Sequence, residues 1–108
     1  MKILLDECVT KKLKKFLPNH SVFTVTEMKW NGLRNGQLMT KAVEQGFEVL
    51  LTIDKNILLQ QNIGKYDLIV IVFNSSSSKI ETLKILIPPF EKQLPGFKKR
   101  SGYIVEKP

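Results

Sequence analysis

The chain is short of acid, almost free of cysteine and histidine, and without a long apolar run. Cys8 is the only cysteine, so no intrachain disulfide can form, which suits a reducing cytosol. As a small side chain with a weak S–H donor, it is expected to be buried as a hydrophobe. His20 is the only histidine and falls at the turn into a predicted strand, where a structural role is expected. No apolar stretch approaches the roughly 20 residues a membrane-crossing helix needs. The N-terminus enters a strand directly, with neither the apolar h-region nor the small-residue cleavage site of a signal peptide. A cytoplasmic protein with no membrane partner is the expectation. Acidic residues number 10 against 17 Lys and Arg, a formal charge of +7, which favours a polyanionic partner such as nucleic acid or an anionic membrane. There is no internal repeat, and the serine run at 75–78 is the only low-complexity stretch.

What is present is ordinary globular material. With 43% hydrophobic and 25% charged residues over a length of 108, residues 1–108 form one domain. Predicted helices and strands alternate. Lys2–Leu5 is strand one; Thr10 caps a helix to about Leu17, stopped by Pro18. Ser21–Val25 alternates apolar residues as strand two. Asn35 caps a helix over Gly36–Gln45, which Gly46 ends. Glu48–Ile53 is strand three, and a short helix from Lys55 ends near Gly64. Asp67–Phe73 is the most apolar strand and reads as central. Ser78 with Glu81 forms a capping box opening a helix that Pro88-Pro89 stops or kinks. Gly102–Glu106 is the last strand. Strands separated by helices imply a three-layer α/β/α fold with a mostly parallel sheet and right-handed crossovers, strand one being central in it.

Two strands end alike. Ile3-Leu4-Leu5 runs into Asp6-Glu7, and Val49-Leu50-Leu51-Thr52-Ile53 runs into Asp54. Continuous apolar runs suit strands covered on both faces, and ligands of such sheets bind at the carboxyl ends of the strands. Two carboxylates brought to that edge repel unless a cation or proton offsets them, which points to a divalent metal. The competing reading of Asp54 is a cap on the following helix. Glu7 points away from Asp6 at the strand end and reads as a supporting charge, as Thr52 does through a hydrogen bond to a carboxylate.

ILLDE, GLRNGQLMTKA and LLTIDKNILLQQN, in that order, resemble the small PIN-like proteins over about residues 1–75. Those are predicted metal-dependent nucleases, often toxins of toxin–antitoxin pairs. The resemblance implies a PIN-like α/β/α domain binding Mg²⁺ or Mn²⁺ at Asp6 and Asp54, with Glu7, Thr52 and Asn56 in support. It also implies a single-stranded RNA substrate, an antitoxin protein partner and a homodimer. The mid-chain segment of that family supplies a further acid; here it reads Asn35-Gly36-Gln37, so Asn35 and Gln37 stand at catalytic positions as amides. Mg²⁺ binds through as few as one or two carboxylates, so Asp6 and Asp54 can hold one ion. Lys11, Lys12, Lys29, Arg34, Lys55 and Gln61 are expected to ring the edge and meet phosphates. Trp30 either stacks on a base or pins its loop to the core.

Two alternatives differ in class. One is a PIN-like domain without catalysis, surviving as a nucleic-acid or protein-binding module. The other is a phosphoacceptor receiver domain, which Asp6-Glu7, Asp54, Ser75 or Ser76 and Lys107 resemble in order.

Overall fold

The apolar runs build the middle of one five-stranded parallel sheet in the computed structural model, which describes all residues 1–108. The strands are β1 (Lys2–Leu5), β2 (Ser21–Thr24), β3 (Val49–Thr52), β4 (Ile69–Phe73) and β5 (Ser101–Val105), in the spatial order β2-β1-β3-β4-β5. Every neighbouring pair is parallel, with Leu4 opposite Leu50 and Leu50 opposite Val70. The sheet is therefore wholly parallel. The middle strand is β3; β1 and β4 are interior but off-centre, which corrects the expectation for both.

Alternation along the strands divides the core in two. Ile3, Leu5, Val49, Leu51, Ile69, Ile71 and Phe73 face one side, against Leu13, Leu83, Leu86 and Phe90. Leu4, Leu50, Val70 and Val72 face the other, against Leu38, Met39, Ala42 and Ile57. The first side is covered by a 3-10 helix, Lys11–Phe16, and by α3 (Ile80–Leu83) and α4 (Ile87–Gln93); the second by α1 (Asn35–Glu44) and α2 (Asn56–Gln60). This is a three-layer α/β/α fold.

Contrary to the right-handed crossovers expected throughout, the crossovers do not all share one hand. From β1 to β2 the chain moves one way across the sheet over the first side; from β2 to β3 and β3 to β4 it moves the opposite way over the second side. Reversing both direction and side preserves the hand, so these three agree. From β4 to β5 it keeps that second direction but passes over the first side, which inverts the hand against the strong preference for right-handed units. The segment 74–79 carries the chain between sides. The benefit is cover for Phe73, Ile71 and Val105 by Phe90 and Leu86, all fully buried. The cost is visible at β5, whose other face leaves Ile104 46% exposed.

Local chemistry explains the remaining departures. Lys11–Phe16 is 3-10 rather than α, placing Leu13 and Phe16 in line at the three-residue spacing; Thr10 caps it as expected, accepting from the Lys12 N–H. Asn35 is the first helical residue of α1 and Arg34 precedes it as cap. Gln37 Oε1 accepts the Arg34 N–H at 3.2 Å, so the amide three positions on does the capping. Gly46, at φ 79°, closes α1 as expected, with Gly46 N–H to Val43 and Phe47 N–H to Ala42. α2 stops at Gln60 because Gln61 is extended, and a separate 3-10 turn spans Ile63–Lys65. The Ser78–Glu81 capping box does not form: Lys79 is the cap residue and its N–H donates to Ser77 Oγ. Pro88 and Pro89 open α4 rather than stop a helix, since their missing N–H groups fall in the first turn, where none is used.

Leu50, fully buried on the middle strand, should lose about 2–5 kcal/mol of stability on substitution by alanine. Ile104→Ala, on the half-covered edge, should cost well under about 1 kcal/mol by comparison. Urea unfolding of both variants checks the asymmetry, and equal losses would contradict the uneven cover.

Candidate functional site

In the order β2-β1-β3-β4-β5 the chain reverses its course between β1 and β3, and a crevice at the carboxyl ends of those two strands is where such sheets bind ligands. Asp6 and Asp54 follow the two strands. The Asp6 N–H donates to Leu51 C=O at 3.0 Å, extending the β1–β3 ladder by one residue and fixing where the carboxylate begins.

Between the two acids stands Thr52, fully buried. Its hydroxyl donates to Asp6 Oδ2 at 2.8 Å and accepts the Asp54 N–H at 3.1 Å. A carboxylate is acceptor-only, so the single hydroxyl proton is committed to Asp6. The Cys8 sulfur lies 3.3 Å from the same oxygen and 3.8 Å from Asp6 Oδ2, and with the threonine proton spent, the thiol must be the donor. Asp6 Oδ1 accepts the Glu7 N–H at 2.8 Å. Asp54 Oδ1 accepts the N–H of Asn56, the first residue of α2, at 3.0 Å, from one position before the cap residue Lys55, and its second oxygen is left free. Thr52 thus bonds one carboxylate through its side chain, and Asn56 the other through its backbone.

Cys8 departs from expectation. The residue is exposed, yet its sulfur is turned inward onto Thr52. Desolvation there raises the thiol pKa above its ordinary value, and the Asp6 charge adds to the rise, which the polar contacts with Thr52 and the backbone only partly offset. Nothing in the sequence marks this: a cysteine two residues after an aspartate is read as a small hydrophobe unless the turn is known.

Glu7 does turn away from Asp6. Its carboxylate accepts the Gly32 N–H, tying the loop before α1 to the end of β1; Gly32 has φ 81°, which glycine adopts without strain. Trp30 packs edge-on to Phe47 with centroids 6.0 Å apart, and its backbone N–H donates to Val25 C=O. It pins the loop to the core.

The expected basic rim is uneven. Lys11 lines a cavity of about 400 Å³ with Asp6, Glu7, Thr24 and Glu27. Lys12 stands beside it, and Lys29, Arg34 and Lys55 are exposed on the loops that follow β2 and β3. Glu27, absent from the sequence expectation, is ion-paired to Lys14 at 2.7 Å. That bond, then the Thr24 N–H, holds its carboxyl below the usual range.

Asn35 and Gln37 make no hydrogen bond to either aspartate. Gln37 is engaged with Arg34 and lines a different hollow, with Gly36, Thr40 and Tyr66. Gln61 and the Tyr66 hydroxyl lie over Gly36, where a Cβ would meet the hydroxyl at 3.3 Å; that close approach explains the glycine in the Asn35-Gly36-Gln37 segment. His20 is remote, bonded to Glu91 at 2.7 Å, and structural.

No group of three or more His, Cys, Asp or Glu side chains converges as a metal cluster. The donors at Asp6 and Asp54 nevertheless fit a hard cation. All are carboxylate oxygens, Asp54 Oδ2 has no partner within the chain, and Mg²⁺ completes its shell with water. Comparisons with family models, curated proteins and solved structures find no match.

Thr52→Val should cost about 1–3 kcal/mol, because the Asp54 N–H loses its acceptor and Asp6 its donor; Thr52→Ser should recover most of it. The cysteine has its own test. Alkylation of Cys8 by iodoacetamide should still be accelerating above pH 9, the thiolate forming late, and Asp6→Asn should quicken it, since the charge that disfavours the thiolate is lost.

Proposed function

We propose that this protein is a metal-dependent endoribonuclease of the PIN-like type, acting as the toxin of a toxin–antitoxin pair. The observation that carries the proposal is the Thr52 hydroxyl. It is a fully buried group bonded at once to the Asp6 carboxylate and the Asp54 backbone, and it holds two acids at the crevice of a parallel sheet. Structure alone does not require acids there, because a buried apolar strand end is cheaper than paired carboxylates.

Asp6 and Asp54 would hold Mg²⁺ or Mn²⁺. When bound, such an ion supplies charge to the phosphoryl oxygens and lowers the pKa of water. Around it, Thr52 and the Glu7 N–H fix the direction of the Asp6 carboxylate, and the Asn56 N–H fixes that of Asp54. Lys11, Lys12, Lys29, Arg34 and Lys55 offset the charge of a single-stranded RNA backbone as it approaches. With amides at Asn35 and Gln37 the centre has fewer charges than its family expectation, so cation affinity is weak and the rate low. The lone reduced thiol suits the cytoplasm. An antitoxin covering the acidic edge and a homodimer complete the reading.

One observation disfavours the receiver reading: with right-handed units throughout, its crossover from β4 to β5 would lie on the α1–α2 side, opposite to that found. The non-catalytic binding module remains the contrast that experiment must separate.

Millimolar Mn²⁺ should raise the melting temperature, since a ligand of the folded state stabilises it, and Asp54→Asn should abolish the rise without unfolding the domain. Unstructured RNA should be cut with Mn²⁺, not with EDTA, and not by Asp6→Ala. RNA bound but never cut under any divalent ion would make the protein a binding module. Asn35→Asp should increase both cation affinity and rate; no change in either would place residue 35 outside the centre.

A further inference from the structure

A second hollow opens on the same edge of the sheet, at the carboxyl ends of β3, β4 and β5. It holds about 510 Å³ and no hydrophobic side chain lines it, which excludes an apolar ligand. Lys55 enters from the end of β3 and Lys107 from beyond β5. Neither ammonium is in an ion pair, since the chain's two ion pairs are Lys14–Glu27 and His20–Glu91.

Two hydroxyls, of Ser76 and Thr82, also line the hollow, and neither is bonded within the chain. Ser75 is not available, being bonded to Ser77 on both counts. Glu106 is the only acid in the lining, and its Oε1 is occupied by the Asn74 amide at 3.0 Å. Asn74 is itself held by its N–H to Val105 C=O, so this contact is fixed by the β4–β5 ladder. Two free ammonium groups against one carboxylate leave the hollow net positive, and with two free hydroxyl donors it suits a tetrahedral oxyanion rather than a cation.

We propose that this hollow binds a phosphate of a single-stranded polynucleotide, the neighbour of the one presented to Asp6 and Asp54. The proposal rests on the nuclease reading for the identity of the polyanion. Continuity supports the placement. Lys55 directly follows Asp54, so the hollow and the acidic pair share the end of β3, and β5 lies two strand spacings, roughly 10 Å, farther along the edge. A strand lying along that edge passes from carboxylates to ammonium groups without leaving the carboxyl face of the sheet. The acidic end requires a cation to accept phosphate; the Lys55–Lys107 end does not. Binding at the hollow is therefore independent of divalent metal.

That independence supplies the test: fluorescence anisotropy of a labelled single-stranded oligoribonucleotide in EDTA, over a range of NaCl. Lys107→Ala should weaken binding several-fold and reduce the slope of log affinity against log salt by about 0.7, one phosphate contact on a single strand. Ser76→Ala combined with Thr82→Val should weaken binding with the slope unchanged. Lys15→Ala, on the outer 3-10 helix, should leave both as in the parent. A Lys107→Ala protein with the parent's affinity and slope overturns the hollow, whether or not the parent cuts RNA. A parent that binds and never cuts, but loses slope with Lys107→Ala, keeps the hollow and overturns the nuclease. A parent that does not bind the oligoribonucleotide at low salt overturns both.

Discussion

Burial of β3 on both faces is the constraint from which the rest follows. Val49, Leu50, Leu51 and Thr52 are all fully buried, with helices above and below and a strand on either side. Such a strand can carry polar chemistry only where it ends, and every polar atom it does bury needs a partner. Thr52 is that atom's owner. Its hydroxyl has one proton and accepts a backbone N–H; satisfying both fixes Asp6 on the neighbouring strand and Asp54 on its own. Fold and site are therefore one problem here, since the hydroxyl that completes the core's hydrogen bonding also orients the acids.

The unusual crossover from β4 to β5 has a comparable origin. A six-residue 3-10 helix with one fully buried leucine cannot cover the first side of the sheet by itself. Sending α3 and α4 there seals Ile71, Phe73 and Val105, and the apolar area so buried outweighs the usual preference in hand, each large side chain contributing roughly 1.5–3 kcal/mol. The opposite side of β5 is left with α2 and the short turn at Ile63–Lys65, and there Leu58 packs directly over Gly102, so that a larger residue would have to displace its side chain. It also sets where β5 ends, and hence brings Asn74, Glu106 and Lys107 together at the functional edge.

Charge is distributed to the same effect. An excess of +7 with only two ion pairs leaves most lysines unneutralised, and self-repulsion of that kind destabilises a fold unless the charges are spread. On the carboxyl edge both signs are present. Asp6 and Asp54 stand at the ends of β1 and β3 with unpaired Lys11 near by, while Lys55 and Lys107 border the hollow that reaches β5. A polyanion would neutralise the second group directly and the first through a cation.

The amino-acid sequence by itself determined the class of fold, five strands, the apolar runs that fill both sides of the sheet, and Asp6 and Asp54 at strand ends. Those follow from periodicity and from short-range rules: Gly46 closing α1 and Thr10 capping the 3-10 helix depend on a few adjacent residues. Long-range packing decided the rest. That β3 and not β1 lies in the middle, that the last crossover changes side, and that Pro88-Pro89 begins a helix all depend on which apolar surfaces had to be covered. Cys8 faces Thr52, Glu7 reaches Gly32 and Lys107 shares a hollow with Lys55 because strands distant in sequence end side by side. A side chain's hydrogen-bond partners across a sheet are set by strand order, and strand order is a property of the whole core.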